Sequence, residues 1–310
     1  MRRNRAHNKP RLTFFDKLVL FATFLGAIFL IAGANAGHFD PKDHIIIAFM
    51  GLAYPFILLF NVIVLAWWLL RRQWLFATCL LVIIFSGYKV LFATFTLFGS
   101  EGNKERTADH LRVMTYNVHL FKKFGEDNDK QVKRKFLQIL KDQQPDVVLF
   151  QEYYTRFKGE FNMTDSIKKM LNVKYYYFVP SSKNSYEAYG MAIFSRYPIS
   201  NTNFIPFDEY NSNACMYVDI KVRDKNLRVY NVHLRSINFQ AADYNYLEKV
   251  RKEINPDKQN SKRILRMLKD AFERRSDDVK LVQGSLKTCT TPYIIAGDFN
   301  DTPASYAVTQ

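Results

Sequence analysis

The chain has 310 residues, with 44 Lys and Arg against 29 Asp and Glu and a formal net charge of +15, and is long enough for one or two hydrophobic cores. Residues 1–99 hold 10 basic and 3 acidic residues and residues 100–310 hold 34 and 26, so the two parts carry +7 and +8. An excess that small over the longer part suits an anionic substrate or an anionic lipid surface, and does not require nucleic acid.

Three windows, about 12–36, 45–70 and 74–98, concentrate the apolar residues, each at or above the ~20 needed to cross a bilayer. Asp16, Lys17 and Lys89 lie near window ends, and no window has the polar face that a helix of a soluble core requires. Pro55 and Asn61 are tolerable if neighbouring helices satisfy the freed backbone groups. Without a central acidic residue or paired broken helices, the windows offer little to a transporter. They predict three transmembrane helices, an integral membrane protein and contact with the lipid bilayer.

Basic residues set the orientation. Arg2, Arg3, Arg5, Lys9 and Arg11 lead the chain and Arg71-Arg72 follow the second window, whereas the first connection has Lys42 against Asp40 and Asp43. The positive-inside rule therefore places the N-terminus in the cytoplasm and everything after Phe98 on the outer or periplasmic side of a plasma or inner membrane. Ala34-Asn35-Ala36 has the small residues of a signal-peptide cleavage site, but the stretch before it is long for a signal, and an uncleaved anchor is the better reading. Cys215 and Cys289 fall in the exported part, where an oxidising compartment permits a disulfide that spacing does not decide.

After a polar linker, 100–110, a β/α alternation occupies 111–310. Residues 111–118 read as a strand, and 129–144 place Val132, Phe136, Ile139 and Leu140 on one helical stripe that stops before Pro145. A short buried strand follows over 146–150, then a helix around 166–171 and strands near 175–179, 190–195, 214–222 and 227–233. The aromatics Tyr175, Tyr176, Tyr177 and Phe178 read as core. A charged helical region spans about 241–286, interrupted at Asn255-Pro256; the last strand covers 292–296, and Thr302-Pro303 opens one more helix. Interleaving of this kind predicts a layered α/β domain.

Four strand ends finish in polar residues that packing would not choose: Tyr116-Asn117-Val118-His119, Gln151-Glu152, Asn231-Val232-His233 and Asp298-Phe299-Asn300. Singly, such residues cap loops or meet water. Together, two carboxylates, amides and a histidine form a hard-oxygen set suited to Mg²⁺ or Mn²⁺, with His233 on the phosphate side. Gly297 lets the backbone turn tightly and carry Asp298 to the edge.

LRVMTYNVHLF, DVVLFQEYY, YGMAIFSRYPIS, LRVYNVHLRS and YIIAGDFNDTP, in this order, resemble the successive motifs of the endonuclease/exonuclease/phosphatase superfamily, the deoxyribonuclease I-like metal-dependent phosphodiesterases. The resemblance runs from Leu111 to the end and implies a layered β-sandwich flanked by helices. It also implies that Glu152 and Asn117 form the metal site, and that His233 hydrogen-bonds the scissile phosphate. Asp298 would position or deprotonate water and Asn300 hold phosphate oxygens, with His119 and Arg235 as weaker candidates for substrate contact. Members of the family continue past GDFN with strands that carry a final Asp-His pair. Asp43-His44 and Asp109-His110 do not match it by position, so the domain is expected to be incomplete at its C-terminal end and impaired. The expected function is a membrane-anchored, Mg²⁺- or Mn²⁺-dependent phosphodiester hydrolase, acting on nucleic acid or phospholipid headgroups. The rival expectation is a non-catalytic, membrane-tethered binding or scaffolding module that retains the fold.

Overall fold

Thr13 and Asp16 start the first helix. The Thr13 hydroxyl accepts from the Asp16 N–H at 3.2 Å and the Asp16 carboxylate accepts from the Thr13 N–H at 2.8 Å, a reciprocal cap for donors that a helix start leaves unpaired. The structure, a computed structural model, describes residues 12–96, 99, 110–122, 129–209, 213–237, 239–253 and 257–310. The basic leader, the linker over 100–109, the end of the third window at 97–98 and the Asn255-Pro256 interruption lie outside the described residues.

Helix α1 spans Phe14–Ala34 and is long and apolar enough to cross a membrane. The second window divides into α2 (Ile45–Leu52) and α3 (Tyr54–Leu70), bent by 67°, and the third into α4 (Trp74–Ser86) and α5 (Tyr88–Thr94), bent by 71°. The expectation of unbroken helices is therefore corrected: among the described residues one helix meets the length of a span, and two bent pairs meet it only when each is counted whole. Pro55 sits in the first turn of α3 and lacks the N–H that would continue the hydrogen-bond ladder of α2, which is where the helix breaks. At the second, a Cβ on Gly87 would lie 2.9 Å from the Ala34 Cβ, so only glycine allows the approach.

Asp16 is fully buried and pairs with Arg71 just beyond α3, Nη2 to Oδ2 at 2.7 Å, which pins the start of α1 to the end of α3. Deeper in, the Asn61 amide donates to the Gly26 carbonyl at 3.0 Å and the Trp68 indole to the Thr23 hydroxyl at 2.9 Å. Phe21, Phe24, Phe56, Leu70, Leu75 and Val82 are exposed on the outside of these helices.

The chain forms two compact units. The first gathers Met1–Ser100, Tyr246–Ser276 and Asp301–Gln310, and the second Glu101–Asn245 and Asp277–Asn300. Within the first, the buried Arg275 pairs with the buried Asp301 at 2.9 Å, and Ser276 donates to Asp40 at 2.7 Å.

Two four-stranded sheets build the second unit. One runs β1 (Val113–Asn117), β2 (Val147–Arg156), β4 (Glu187–Ser195), β3 (Tyr175–Lys183), and the other β5 (Ile199–Pro206), β6 (Ala214–Val222), β7 (Lys225–His233), β8 (Tyr293–Asp298). The pairs β1–β2 and β7–β8 are parallel and the rest antiparallel. Strand alternation sorts the core into two layers. Val147 and Leu149 face Met216, Val218 and Val229 of the other sheet, whereas Val148 and Phe150 face α6 (Lys130–Gln143) and α7 (Met163–Leu171) through Phe136, Leu140 and Ile167. Helices α8 (Ala241–Glu253) and α9 (Lys258–Lys287) separate β7 from β8, and α10 (Tyr306–Thr309) follows. This is the layered α/β sandwich expected. Tyr175 and Tyr176 correct the core reading of their cluster: both are exposed on edge strand β3, while Phe178 packs on Tyr153 at 5.3 Å between ring centroids. The three cysteines are free.

A buried amide pair ties the sheets together. Gln151 Nε2 donates to Asn231 Oδ1 at 2.5 Å, and Asn231 Nδ2 donates to the carbonyls of Phe150 at 3.0 Å and Ala192 at 3.3 Å. Asn231→Leu leaves those acceptors without their donor and is expected to cost ~2 kcal/mol of unfolding free energy, read by denaturant melts. The double change Gln151→Leu/Asn231→Leu should cost less than the sum of the two single changes.

Candidate functional site

Parallel pairing of β1 and β2 sets Asn117 opposite Gln151. There the β2–β4 register shifts between Phe150 and Tyr153, and Glu152, with φ 50°, occupies the left-handed region. A bulge re-aims a side chain, and the left-handed conformation costs a non-glycine residue roughly 1–3 kcal/mol. The predicted strand over 146–150 is thus corrected: β2 continues to Arg156, and Glu152 projects from a bulge within it rather than from its end. The second sheet brings His233 of β7 opposite Asp298 of β8. Gly297 is needed for that approach, since a Cβ there would run into the Val232 backbone, with the Val232 nitrogen at 2.6 Å.

Asn117 joins the two sheets' contributions. Its Nδ2 donates to Glu152 Oε1 and to Asp298 Oδ2, each at 2.9 Å, so the two carboxylate oxygens are no further apart than twice that distance. His233 is buried, and its Nε2 lies 3.8 Å from Glu152 Oε1. Asp298 Oδ1 accepts the Asn300 N–H at 3.0 Å, and Asn300 takes φ 50°, a conformation asparagine tolerates. Asn117, Glu152, His233, Asp298 and Asn300 are therefore brought to one place. Among the described residues neither Glu152 nor Asp298 is paired with Lys or Arg.

The remaining candidates sit differently. The Asn300 side-chain amide donates to the Leu234 carbonyl at 2.8 Å, so in this arrangement it braces the exit of β7. Arg235 is not a solvated surface charge: its Nη2 lies 2.9 Å from Asp278 Oδ1 and also donates to the Phe207 carbonyl. His119 is exposed, in a turn where His119, Leu120 and Phe121 all have positive φ, and its N–H donates to Asn117 Oδ1 at 3.0 Å. Two residues that sequence reasoning passed over also hold this region. Asn213 donates to the Leu234 carbonyl at 3.1 Å, and Asp278, fully buried, faces Arg235. Neither left a signal in the sequence, Asn213 lying in a polar loop and Asp278 in a charged helical run.

Two carboxylates drawn together without a cationic side chain are a donor set that fits a hard divalent cation, and Mg²⁺ is commonly held by one or two carboxylates plus water. Among the described residues no group of three or more His, Cys, Asp or Glu is arranged to hold a metal.

Burial pushes the Asp278 carboxyl up to about 6 from its ordinary 3.8, against the downward pull of Arg235. A native value above the unfolded one means that the contribution of Asp278 to stability is full below pH 4 and is lost as pH rises through 6. Asp278→Asn is expected to remove on the order of 2 kcal/mol of that pH dependence, measured by urea melts between pH 4 and pH 7. Gly297→Ala, by forcing β8 away from Val232, is expected to cost ~1–3 kcal/mol, read as a lower melting temperature.

A sequence profile of the Endonuclease/Exonuclease/phosphatase family matches residues 114–309, and one of a domain of unknown function matches residues 16–94. No curated protein matches the chain. Among solved structures, an endonuclease/exonuclease/phosphatase family protein from Leptotrichia buccalis C-1013-b is 14% identical with a TM-score of 0.38, over 62% of this chain and 67% of that one. Humanized D. rerio TDP2 is 17% identical with a TM-score of 0.40, over 62% and 66%. An endonuclease/exonuclease/phosphatase from Beutenbergia cavernae DSM 12333 is 17% identical with a TM-score of 0.42, over 64% and 50%. The chain thus spans between half and about two thirds of the length of these structures.

Proposed function

The chain belongs to the endonuclease/exonuclease/phosphatase family, and from that premise we propose that it is a membrane-anchored hydrolase of phosphodiesters that depends on a divalent cation. The observation that carries the reading is the Asn117 amide, 2.9 Å from a carboxylate of each sheet. Residues 111–310 are the hydrolytic part, 100–110 the linker and 1–99 the membrane region. Glu152 and Asp298, oriented by Asn117, would hold Mg²⁺ or Mn²⁺, which when bound supplies positive charge to phosphoryl oxygens.

The chain's own groups supply the rest. Asp298, whose carboxylate shares the Asn117 amide with Glu152, accepts a proton from water or orients it. His233, buried beside Glu152, donates a hydrogen bond to a non-bridging oxygen and stabilises charge as it develops. Asn300, by holding the Leu234 carbonyl, keeps His233 and Asp298 in register, and its N–H fixes the Asp298 carboxylate. His119, exposed beside Asn117, meets the outer part of a substrate; Arg235, engaged by Asp278, is assigned no substrate contact.

Phosphodiesters of nucleic acid and of phospholipid headgroups share this chemistry. The exposed apolar faces of α1, α3 and α4 support attachment to a bilayer, which keeps headgroups within reach. With each bent pair counted as one span, the three windows make three crossings, and Arg71-Arg72 then lie on the cytoplasmic side with the N-terminus.

The test is hydrolysis of bis(4-nitrophenyl) phosphate by the full chain in detergent with Mg²⁺ or Mn²⁺. Asp298→Asn is expected to lower turnover ~10²- to 10⁴-fold. Glu152→Gln should abolish the rise in melting temperature that Mn²⁺ gives the unaltered protein. Turnover unaffected by either change would reject the assignment. Release of the chain from membranes by alkaline carbonate would reject the anchoring.

A further inference from the structure

The β-ladder that carries His233 ends at that residue, and side chains hold the backbone beyond it. Leu234 donates its N–H to the Asp298 carbonyl at 2.9 Å, and its own carbonyl accepts from Asn213 and Asn300. The next residue, Arg235, has a charged anchor. Its Nη2 lies 2.9 Å from Asp278 Oδ1, an ion-pair contact, and donates to the Phe207 carbonyl. Asp278 is fully buried on α9, the helix that intervenes between the two strands carrying His233 and Asp298.

A buried ion pair is a weak source of stability, because desolvation offsets most of its attraction and an apolar pair of similar volume does as well or better. What it supplies is geometry. A buried carboxylate that holds a guanidinium, itself bonded to a neighbouring carbonyl, limits where that arginine's backbone can sit, and here the arginine is two positions past a buried histidine at the candidate site. We infer that Asp278 is a positioning residue for the hydrolytic site: by holding Arg235 it fixes the exit of β7 and so the placement of the His233 imidazole. Asp278 touches neither substrate nor cation, and it acts through Arg235. This rests on the proposed hydrolytic reading for its effect on turnover, but the placement of the imidazole is observable without turnover.

The experiment therefore has two readouts on the full chain in detergent micelles. The first is the ring resonance of His233 in ¹³C-histidine-labelled protein, assigned by its loss in His233→Gln. Asp278→Ala should shift and broaden that resonance, and Asp278→Asn, which keeps a carbonyl acceptor for Arg235, should largely restore it. The second is kinetics on bis(4-nitrophenyl) phosphate with Mn²⁺. Asp278→Ala should lower kcat at least tenfold with KM changed less than twofold, the pattern of a lost transition-state interaction, and Asp278→Asn should recover most of the rate. An unmoved His233 resonance together with unchanged kcat in a folded Asp278→Ala protein would overturn the inference. If the unaltered chain shows no turnover, the hydrolytic reading fails and the resonance alone decides the positioning. Should Asp278→Ala fail to fold, Arg235→Lys takes its place, because it keeps the charge and loses the fork that reaches both acceptors.

Discussion

One amide nitrogen organises the candidate site. Asn117 Nδ2 lies 2.9 Å from a carboxylate oxygen of Glu152 and from one of Asp298, and the two acids come from different sheets. At such a separation two carboxylates repel by on the order of 3 kcal/mol at an effective dielectric of 20, and one neutral amide offsets only part of that. Local features that look costly in isolation serve this approach. Glu152 takes a left-handed backbone at a bulge, Gly297 gives up its side chain so that β8 reaches Val232, and His233 is buried beside an acid. A divalent cation held between the carboxylates would offset that repulsion, which is why the proposed function turns on one.

Much of this was legible along the chain, for identifiable reasons. Strands β6 and β7 are continuous apolar or alternating runs, and α6 carries its apolar residues on one stripe, so periodicity marked them closely. Asn117, Glu152, His233 and Asp298 stood out because each is a polar residue where a buried strand should end in a turn residue. Other parts left no such trace. Strand β5 is mostly exposed at a sheet edge, and its run of Ser, Asn and Thr reads as loop. The bulge at Glu152 depends on β4 pairing with β2 on both sides of it, which is tertiary information. Asp278 sits among charged residues on a helix, and only the fold distinguishes it as buried. Gln151 and Asn231 looked like site residues and instead lock the sandwich from within, a distinction that composition does not draw.

The apolar windows show a similar division between what composition decides and what packing decides. Hydropathy located all three, yet the second and third bend by 67° and 71°. Pro55 announced the first bend through its missing donor. The second depends on Gly87 meeting Ala34, a contact between distant parts of the chain. Asp16, which hydropathy counts as a blemish near the start of α1, is the buried partner of Arg71 and fixes how α1 and α3 meet.

The most direct measurement is a double-mutant cycle on Mn²⁺ affinity, with Glu152→Gln and Asp298→Asn alone and together, followed by electron paramagnetic resonance titration of the full chain. If one cation is shared by the two carboxylates, either single change removes most of the affinity and the second removes little more. Losses that simply add, or an affinity that neither change alters, would contradict a shared site.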